Sequence, residues 1–387
     1  MNLIGKPRIG KPRAWSMLIC LTLFSVLIAA CGSANSGSTT GSTPQAAASN
    51  GKNCKKVGVL LPETASSARW DSEDKPELEA AVKQAIPGAT VDYNNAQGDA
   101  DTQATQADAD LTNGDCILII APADSQKAAA IVAKAKAKGV PVIAYDRLIY
   151  SNDLNYYVSF DNTAVGALQG QYIADHYKDY VKGNNKNLVM INGAQTDNNA
   201  LLFYKGAVSK LQPLIDSGAL KKVYDQYTPN WDNPTAQTEM EGALTANQNN
   251  VQIAYVANDG MAGTVIAALK AHHLNGKVLV TGQDATAAGI QSILAGDQSM
   301  TVYKAIKKEA GAAAQLAAAL SNGTDTASLT NGQTTAIPIT GGASIPSVLE
   351  QPVAVDKTNI ASTVVADGFV KKEDICKGIP AGTDGVC

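Results

Sequence analysis

From residue 55 onward, short runs of Val, Ile and Leu alternate with longer stretches whose apolar residues recur every three or four positions. The runs at 56–61, 91–93, 116–120, 141–145 and 156–160 read as strands. Three stretches read as helices: 76–86, a second with Ala104, Ala107 and Leu111 on one face, and 125–138, stopped by Gly139. Strands apolar at nearly every position, separated by helices of this length, belong to a parallel sheet covered on both faces. The alternation then restarts, with strands at 187–191, 222–224, 252–257 and 277–281 and helices from about Asn198, Thr235, Gly260 and Ala285. The repetition predicts an α/β chain with two doubly wound parallel-sheet domains. A late strand at 300–303 and a helix at 304–320 have no obvious place in the second set. They are assigned to the first domain, so the chain is expected to cross between domains several times.

The first thirty residues follow a different pattern. Lys6, Arg8, Lys11 and Arg13 precede an apolar run that ends in Ile28-Ala29-Ala30-Cys31. A basic start, a short apolar core and small residues at the end form a secretory signal rather than a spanning helix. The last four residues resemble the bacterial lipobox, which implies lipid modification of Cys31. Residues 32–52 are mostly Ser, Gly, Thr, Ala, Asn and Gln, a composition that cannot bury enough apolar surface to order itself. The expected division is a lipoprotein signal at 1–30 and a lipid-anchored linker at 31–54. An N-terminal domain follows at 55–160 plus 286–337 and a C-terminal domain at 161–285 plus 338–375, with a tail at 376–387.

Composition narrows the chemistry. With 45% hydrophobic and 17% charged residues, a chain disordered throughout is excluded. The net charge is −4 although the signal is purely basic, so the body is acidic and has no Lys/Arg stripe for displacing counterions from nucleic acid. No nucleic-acid partner is expected. The three histidines (His176, His272, His273) have no metal-ligand spacing with cysteines, so neither a metal nor a cofactor is expected.

Apart from Cys20 and Cys31, four cysteines remain, and export favours disulfides. Cys54 precedes the first strand and Cys116 opens the third. In a 2-1-3 strand order their amino ends lie side by side, about 4.8 Å apart, near the separation a disulfide needs. Cys376 and Cys387 can close a small loop in a Gly- and Pro-containing tail. The pairs Cys54–Cys116 and Cys376–Cys387 are therefore expected.

Doubly wound sheets bind ligands beyond the carboxyl ends of their strands. Those positions hold Arg69 and Trp70, then Asp146 and Arg147, in the first half. They hold Asp197 and Asn199, Asn258, and Asp284 in the second, with Lys304 after the late strand. Trp231 stands in a polar loop. Planar acceptors and donors beside an Arg fork suit ring hydroxyls, and aromatic faces suit the apolar C–H faces of a sugar. Asp or Asn after a strand is also an ordinary helix cap, and Asp161-Asn162 is read that way. A glycosidase is disfavoured, because an Arg beside Asp146 lowers that carboxyl rather than making it a general acid. Nucleophile-elbow, zinc-protease and phosphate-loop motifs are missing from the chain, and no catalytic residue is assigned.

Several strings carry a family likeness. Val142-Ile143-Ala144-Tyr145-Asp146-Arg147-Leu148-Ile149, Val158-Ser159-Phe160-Asp161-Asn162, Asp197-Asn198-Asn199-Ala200, Thr281-Gly282-Gln283-Asp284-Ala285 and Met300-Thr301-Val302-Tyr303-Lys304 resemble the bacterial D-xylose-binding proteins. Ser66-Ser67-Ala68-Arg69-Trp70 and Trp231-Asp232 are similar to their multiple-monosaccharide-binding relatives. The likeness runs from about Lys55 to Phe369. It implies the periplasmic-binding-protein type I architecture, with two domains on a multi-strand hinge that close around a monosaccharide, D-xylose first. It also implies delivery to the membrane permease of an ABC importer by a monomer lipid-anchored outside the cytoplasm. On matching positions the implied sugar contacts are Arg69, Asp146, Arg147, Asp197, Asn199, Trp231, Asn258, Asp284 and Lys304, with Trp70 beside them. A receptor presenting its sugar to a sensor kinase or chemoreceptor would have the same pocket. A surface carbohydrate-active enzyme is the remoter alternative.

Overall fold

The computed structural model describes residues 50–387; the signal at 1–30, Cys31 and the linker up to residue 49 lie outside them. The chain enters through β1 (Lys56–Leu61), α1 (Lys75–Ala85), β2 (Thr90–Asn95), α2 (Ala100–Asn113), β3 (Ile117–Ile120), α3 (Ala129–Ala137), β4 (Val142–Tyr145) and β5 (Tyr156–Phe160). It crosses into a second lobe through α4 (Asn162–Tyr180), β6 (Asn187–Asn192), α5 (Asn198–Asp216), β7 (Lys221–Tyr227) and α6 (Asn233–Ala246). There it continues as β8 (Ile253–Val256), α7 (Asp259–Ala271), β9 (Leu279–Val280), α8 (Ala287–Leu294) and β10 (Thr301–Tyr303). It returns to the first lobe for α9 (Ile306–Asn322), β11 (Thr334–Ala336) and β12 (Ser344–Glu350), then re-enters the second at β13 (Val353–Val355).

The first sheet runs β11-β12-β5-β4-β3-β1-β2, parallel except for the β11–β12 pair. Its apolar strands bury both faces, as their unbroken hydrophobicity requires. Val57, Val59 and Leu61 of β1 pack under α1 and α9, while Leu60, Leu118 and Ile120 meet Ala107, Ile131 and Val132 on the other side. The second sheet, β7-β6-β8-β9, is parallel and has a core of its own around Met190, Phe203, Tyr255 and Leu269. Helix starts are locally encoded. The carboxylates of Asp99, Asp161, Asp197 and Asp232 accept from backbone N–H groups in the first turns of α2, α4, α5 and α6, and Asn258 does the same for α7.

The late segments correct the expected division. The strand at 300–303 does not join the first sheet. Its flank and core continue the second, through Ser299 N–H to the Val280 carbonyl (2.8 Å) and Val302 N–H to the Gly282 carbonyl (3.2 Å), and β10 pairs antiparallel with β13. Helix α8 likewise packs in the second lobe, against Val355, Ile360 and Val364. Of α8, β10 and α9, only α9 lies in the first lobe, burying Ala310, Ala313 and Ala317 in its core. Conversely β12, expected in the C-terminal domain, pairs parallel with β5. A three-residue strand carries too little pattern to declare its sheet; its neighbours are decided by packing.

The lobes are thus joined by three crossovers, at 160–162, 303–306 and 350–353. The tail is docked as well: Val386 is buried with Ile375 and Val370 beside α8.

Both disulfides sit where the strand order allows them. Cys54–Cys116 has a Cα separation of 5.5 Å at the amino ends of the neighbouring β1 and β3, and Cys376–Cys387 has one of 5.4 Å. Removing the first should cost roughly 4 kcal/mol and the second roughly 3, because the longer loop restricts the unfolded chain more. Urea unfolding of the Cys→Ser pairs, with peptide mapping under non-reducing conditions, checks both the order and the pairing.

Beside the first bridge, Asp110 and Asp115 are buried, and Asp110 Oδ2 and both Asp115 oxygens have no hydrogen-bond donor. Burial, and then the charge of Asp115, push the Asp110 carboxyl up to about 7. Between about pH 4 and 7 the native state keeps this proton and the unfolded state does not, so stability falls as pH rises through that window. Asp110→Asn should therefore stabilise by roughly 1–3 kcal/mol at pH 8 and by much less at pH 5, as read by urea unfolding at the two pH values.

Candidate functional site

The carboxyl ends of both sheets face one another across the crossovers. One pocket between them is lined by Arg69, Trp70, Asp146, Arg147, Asp197, Asn199, Trp231, Asn258, Asp284 and Lys304. All ten sequence-derived positions therefore meet. The lining also includes Ser66, Ser67, Phe203 and Gln283. These four were not singled out as contacts, although Ser66-Ser67 and Gln283 stand within three residues of positions that were. Trp231, read from the sequence only as part of a polar loop, lies just past the end of β7 and so obeys the same strand-end rule.

Asp146 is the centre. It follows β4 with φ +56, a left-handed conformation that disfavours any residue with a Cβ. The turn is held by its backbone carbonyl, which accepts from Tyr157 Oη (3.0 Å), Ser159 Oγ (2.6 Å) and Asn199 Nδ2 (3.1 Å). So fixed, Oδ2 accepts from Arg69 Nη1 and Lys304 Nζ, both at 3.0 Å, and Oδ1 from Asn199 Nδ2 at 2.9 Å. Burial opposes ionisation here, but Lys304, Arg69 and Arg147 more than offset it and hold the carboxyl well below its ordinary range. Lys304 reaches the pocket from the second crossover, between β10 and α9.

Arg69 is clamped from behind. Asp74 accepts from its Nε (2.7 Å) and Nη2 (2.6 Å), and the Tyr145 hydroxyl donates to the same carboxylate (2.8 Å). Burial disfavours the guanidinium charge, yet Asp74, Asp146 and Asp284 keep its pKa well above the ordinary value. Glu309 of α9 lies 3.5 Å from Arg69 Nη2, but burial and the charge of Asp146 push its carboxyl well up.

The second lobe contributes residues with two jobs. Asp197 caps α5 through Oδ1, at 2.9 Å from the Asn199 N–H, and turns Oδ2 to Arg147 Nε (2.9 Å) and Trp231 Nε1 (3.1 Å). Burial raises its carboxyl, with Arg147 opposing. Asn258 caps α7 through Oδ1 and keeps Nδ2 on the pocket side. Asp284 (φ +99) accepts from Ser67 Oγ (3.0 Å) through Oδ2 and lies 3.5 and 3.6 Å from Arg69 and Lys304 through Oδ1, which has no hydrogen bond of its own. Trp70 donates to Glu63 Oε1 (3.0 Å) beneath the Arg69 and Arg147 guanidinium groups. Three cations and three carboxylates thus line the pocket in balance. No cluster of metal-ligating side chains occurs among the described residues.

A two-lobed α/β binding protein, with a polar pocket between the lobes, is the class that this fold and site define. Residues 57–325 match the periplasmic binding protein domain family, and the chain belongs to that family. It is a binding protein rather than an enzyme. It is 40% identical over 324 residues to the D-xylose-binding periplasmic protein of Escherichia coli (strain K12), covering 83% of this chain and 92% of that one. It is 34% identical to the multiple sugar-binding periplasmic receptor ChvE of Rhizobium radiobacter, covering 82% and 92%. Among solved structures, a carbohydrate transporter solute-binding protein of Chloroflexus aurantiacus in complex with D-glucose superposes with a TM-score of 0.71. The two are 31% identical, over 82% of this chain and 97% of that one.

Trp231 (φ +56) lies over Gly193, where a Cβ would stand 2.1 Å from its ring, and meets Phe203 edge-on with centroids 6.3 Å apart. Gly193→Ala should displace the indole and destabilise by about 1–3 kcal/mol through overpacking. Urea unfolding and the tryptophan emission maximum of the variant measure both effects.

Proposed function

We propose that this protein captures a neutral monosaccharide between its two lobes, an aldopentose of the D-xylose type first, and hands it to the membrane permease of an ABC importer. One observation carries the reading: a buried, charge-balanced set of planar donors and acceptors, drawn from both lobes around Asp146 and flanked by Trp70 and Trp231. A sugar hydroxyl is donor and acceptor at once, so each suits a place between a carboxylate and an Arg, Lys or Asn. The balanced lining favours a ligand without net charge, because a uronate would add an uncompensated buried charge. Contacts from both lobes give the ligand more partners in the closed form, which is what drives closure. The D-xylose and multiple-sugar names of the curated relatives agree with this chemistry. In this reading the signal directs export, and lipid on Cys31 holds the body outside the cytoplasmic membrane through the segment that follows it.

Titration calorimetry across neutral pentoses, hexoses and their uronates tests it. A neutral aldose should bind, its uronate should not, and Asp146→Ala should lose roughly 2–5 kcal/mol, because donors on Arg69 and Lys304 would be left unpaired against the sugar. Trp231→Ala should weaken binding by on the order of 2 kcal/mol and abolish most of the sugar-induced change in tryptophan emission. A wild-type protein that ignores every monosaccharide, or an Asp146→Ala variant with undiminished affinity, removes the reading.

A further inference from the structure

Outside the pocket the lobes bond to each other directly along two flanks. On one, Ser125 of the first lobe donates its backbone N–H to the Thr196 carbonyl (2.9 Å) and accepts at Oγ from the Asn198 N–H (3.2 Å). The Tyr150 hydroxyl donates to Asn198 Oδ1 (3.0 Å). On the other flank, Asn233 Nδ2 donates to the Ala65 carbonyl (3.1 Å). There the start of α7 comes so close that a Cβ on Gly260 would stand 2.2 Å from the Ser66 carbonyl oxygen. Ser125, Tyr150, Thr196, Asn198, Asn233 and Gly260 all lie outside the lining of the pocket.

The first flank is built as a rigid pad. Asp124 Oδ1 accepts from the Gln126 and Lys127 N–H groups and fixes the turn that carries Ser125. The Ser125 carbonyl accepts from the Tyr150 N–H (2.8 Å), which ties the two gripping residues together. What they grip is the first residue of α5, between Asp197 and Asn199, the two side chains that this helix start sends into the pocket.

We infer that Ser125 and Tyr150, gripping Asn198, and Gly260, admitting Ser66, form an interlobe clasp that sets sugar affinity and residence time without touching the sugar. The inference rests on capture by closure. Bonds between lobes exist only when the lobes are together, so they add to the closed state alone. Apparent affinity rises with the population of that state, and loss of such bonds appears mainly as faster release. Gly260 acts by size: any side chain there meets the Ser66 carbonyl of the other lobe before closure is complete.

Ser125→Ala, Tyr150→Phe and Gly260→Ala test this in the full chain. Calorimetry gives Kd for the sugar that the wild type binds, stopped-flow tryptophan fluorescence gives the release rate, and thermal unfolding without sugar reports folding. Ser125→Ala and Tyr150→Phe should each weaken binding about threefold to tenfold, the cost of one neutral hydrogen bond, with the change in release. Gly260→Ala should weaken it tenfold or more while sugar-free stability is kept or raised, since Ala is the better helix former. Small-angle scattering of the sugar-free proteins supplies a readout that needs no ligand: each variant should shift toward the open, larger form. If no sugar binds to the wild type, the capture reading fails, and scattering still decides the clasp. Unchanged scattering overturns it, as do wild-type Kd and release in all three variants, or affinity losses that only track a lowered sugar-free stability.

Discussion

The buried Asp146 carboxylate is the interaction on which the rest of this architecture turns. A charge at that depth survives only with partners: Arg147 is the next residue, while Arg69, Asn199 and Lys304 come from three distant parts of the chain. Each of the three cations needs its own compensation. Asp74 neutralises Arg69, Asp197 neutralises Arg147, and Asp284 stands near both Arg69 and Lys304. The network is therefore a closed loop of opposite charges that spans both lobes and one crossover. Burial and the charge of Asp146 push the Glu309 carboxyl beside it well up.

Backbone strain gathers at the same place. Asp146, Trp231, Asp284 and Ala285 all have positive φ, and three of these four line the pocket. Such conformations cost on the order of 1–3 kcal/mol each and persist only where the surroundings over-determine them. Here the surroundings do so: three donors hold the Asp146 carbonyl, and the Asp284 N–H is tied to the Val302 carbonyl at 2.9 Å. The strain aims side chains across the strand ends instead of along them. The same economy appears in Asp197 and Asn258, where one side chain both starts a helix and faces the pocket. For these residues, capping and binding are not competing explanations. One oxygen caps, and the other end of the group faces the pocket side, where Asp197 Oδ2 meets Arg147 and Trp231 and Asn258 Nδ2 donates to the Ser66 carbonyl (3.5 Å).

Closure and recognition share a mechanical basis in the three crossovers. Lys304 sits on one of them, so a rotation between lobes moves a pocket cation directly. Beyond the crossovers the C-terminal segment braces the second lobe: Tyr303 donates to Asp367 (2.8 Å) and packs on Phe369 with ring centroids 4.9 Å apart. The residue before Lys304 is thereby tied to the segment that precedes the tail, and the hinge cation has a fixed base.

Much of this was legible along the chain. Apolar runs buried on both faces gave the parallel sheets, and the rule of strand ends found Asp146, Arg147, Asp197, Asn258 and Asp284 from local pattern and side-chain chemistry. The amino-end adjacency of β1 and β3 likewise followed from a strand order that parallel α/β units favour. These features are local or repeat with a short period, so sequence alone carries them. Tertiary structure decided the rest. It settled which sheet takes the three-residue β10, and it carried β12 back to the first lobe to pair with β5. It joined the Trp231 loop to β7, and it brought Ser66, Ser67, Phe203 and Gln283 into the lining. It also brought together distant ionisable groups: burial and then the charge of Asp146, more than 150 positions away along the chain, push the Glu309 carboxyl up. Pairings over such separations depend on how the two cores dock, and no periodicity within either lobe encodes that geometry.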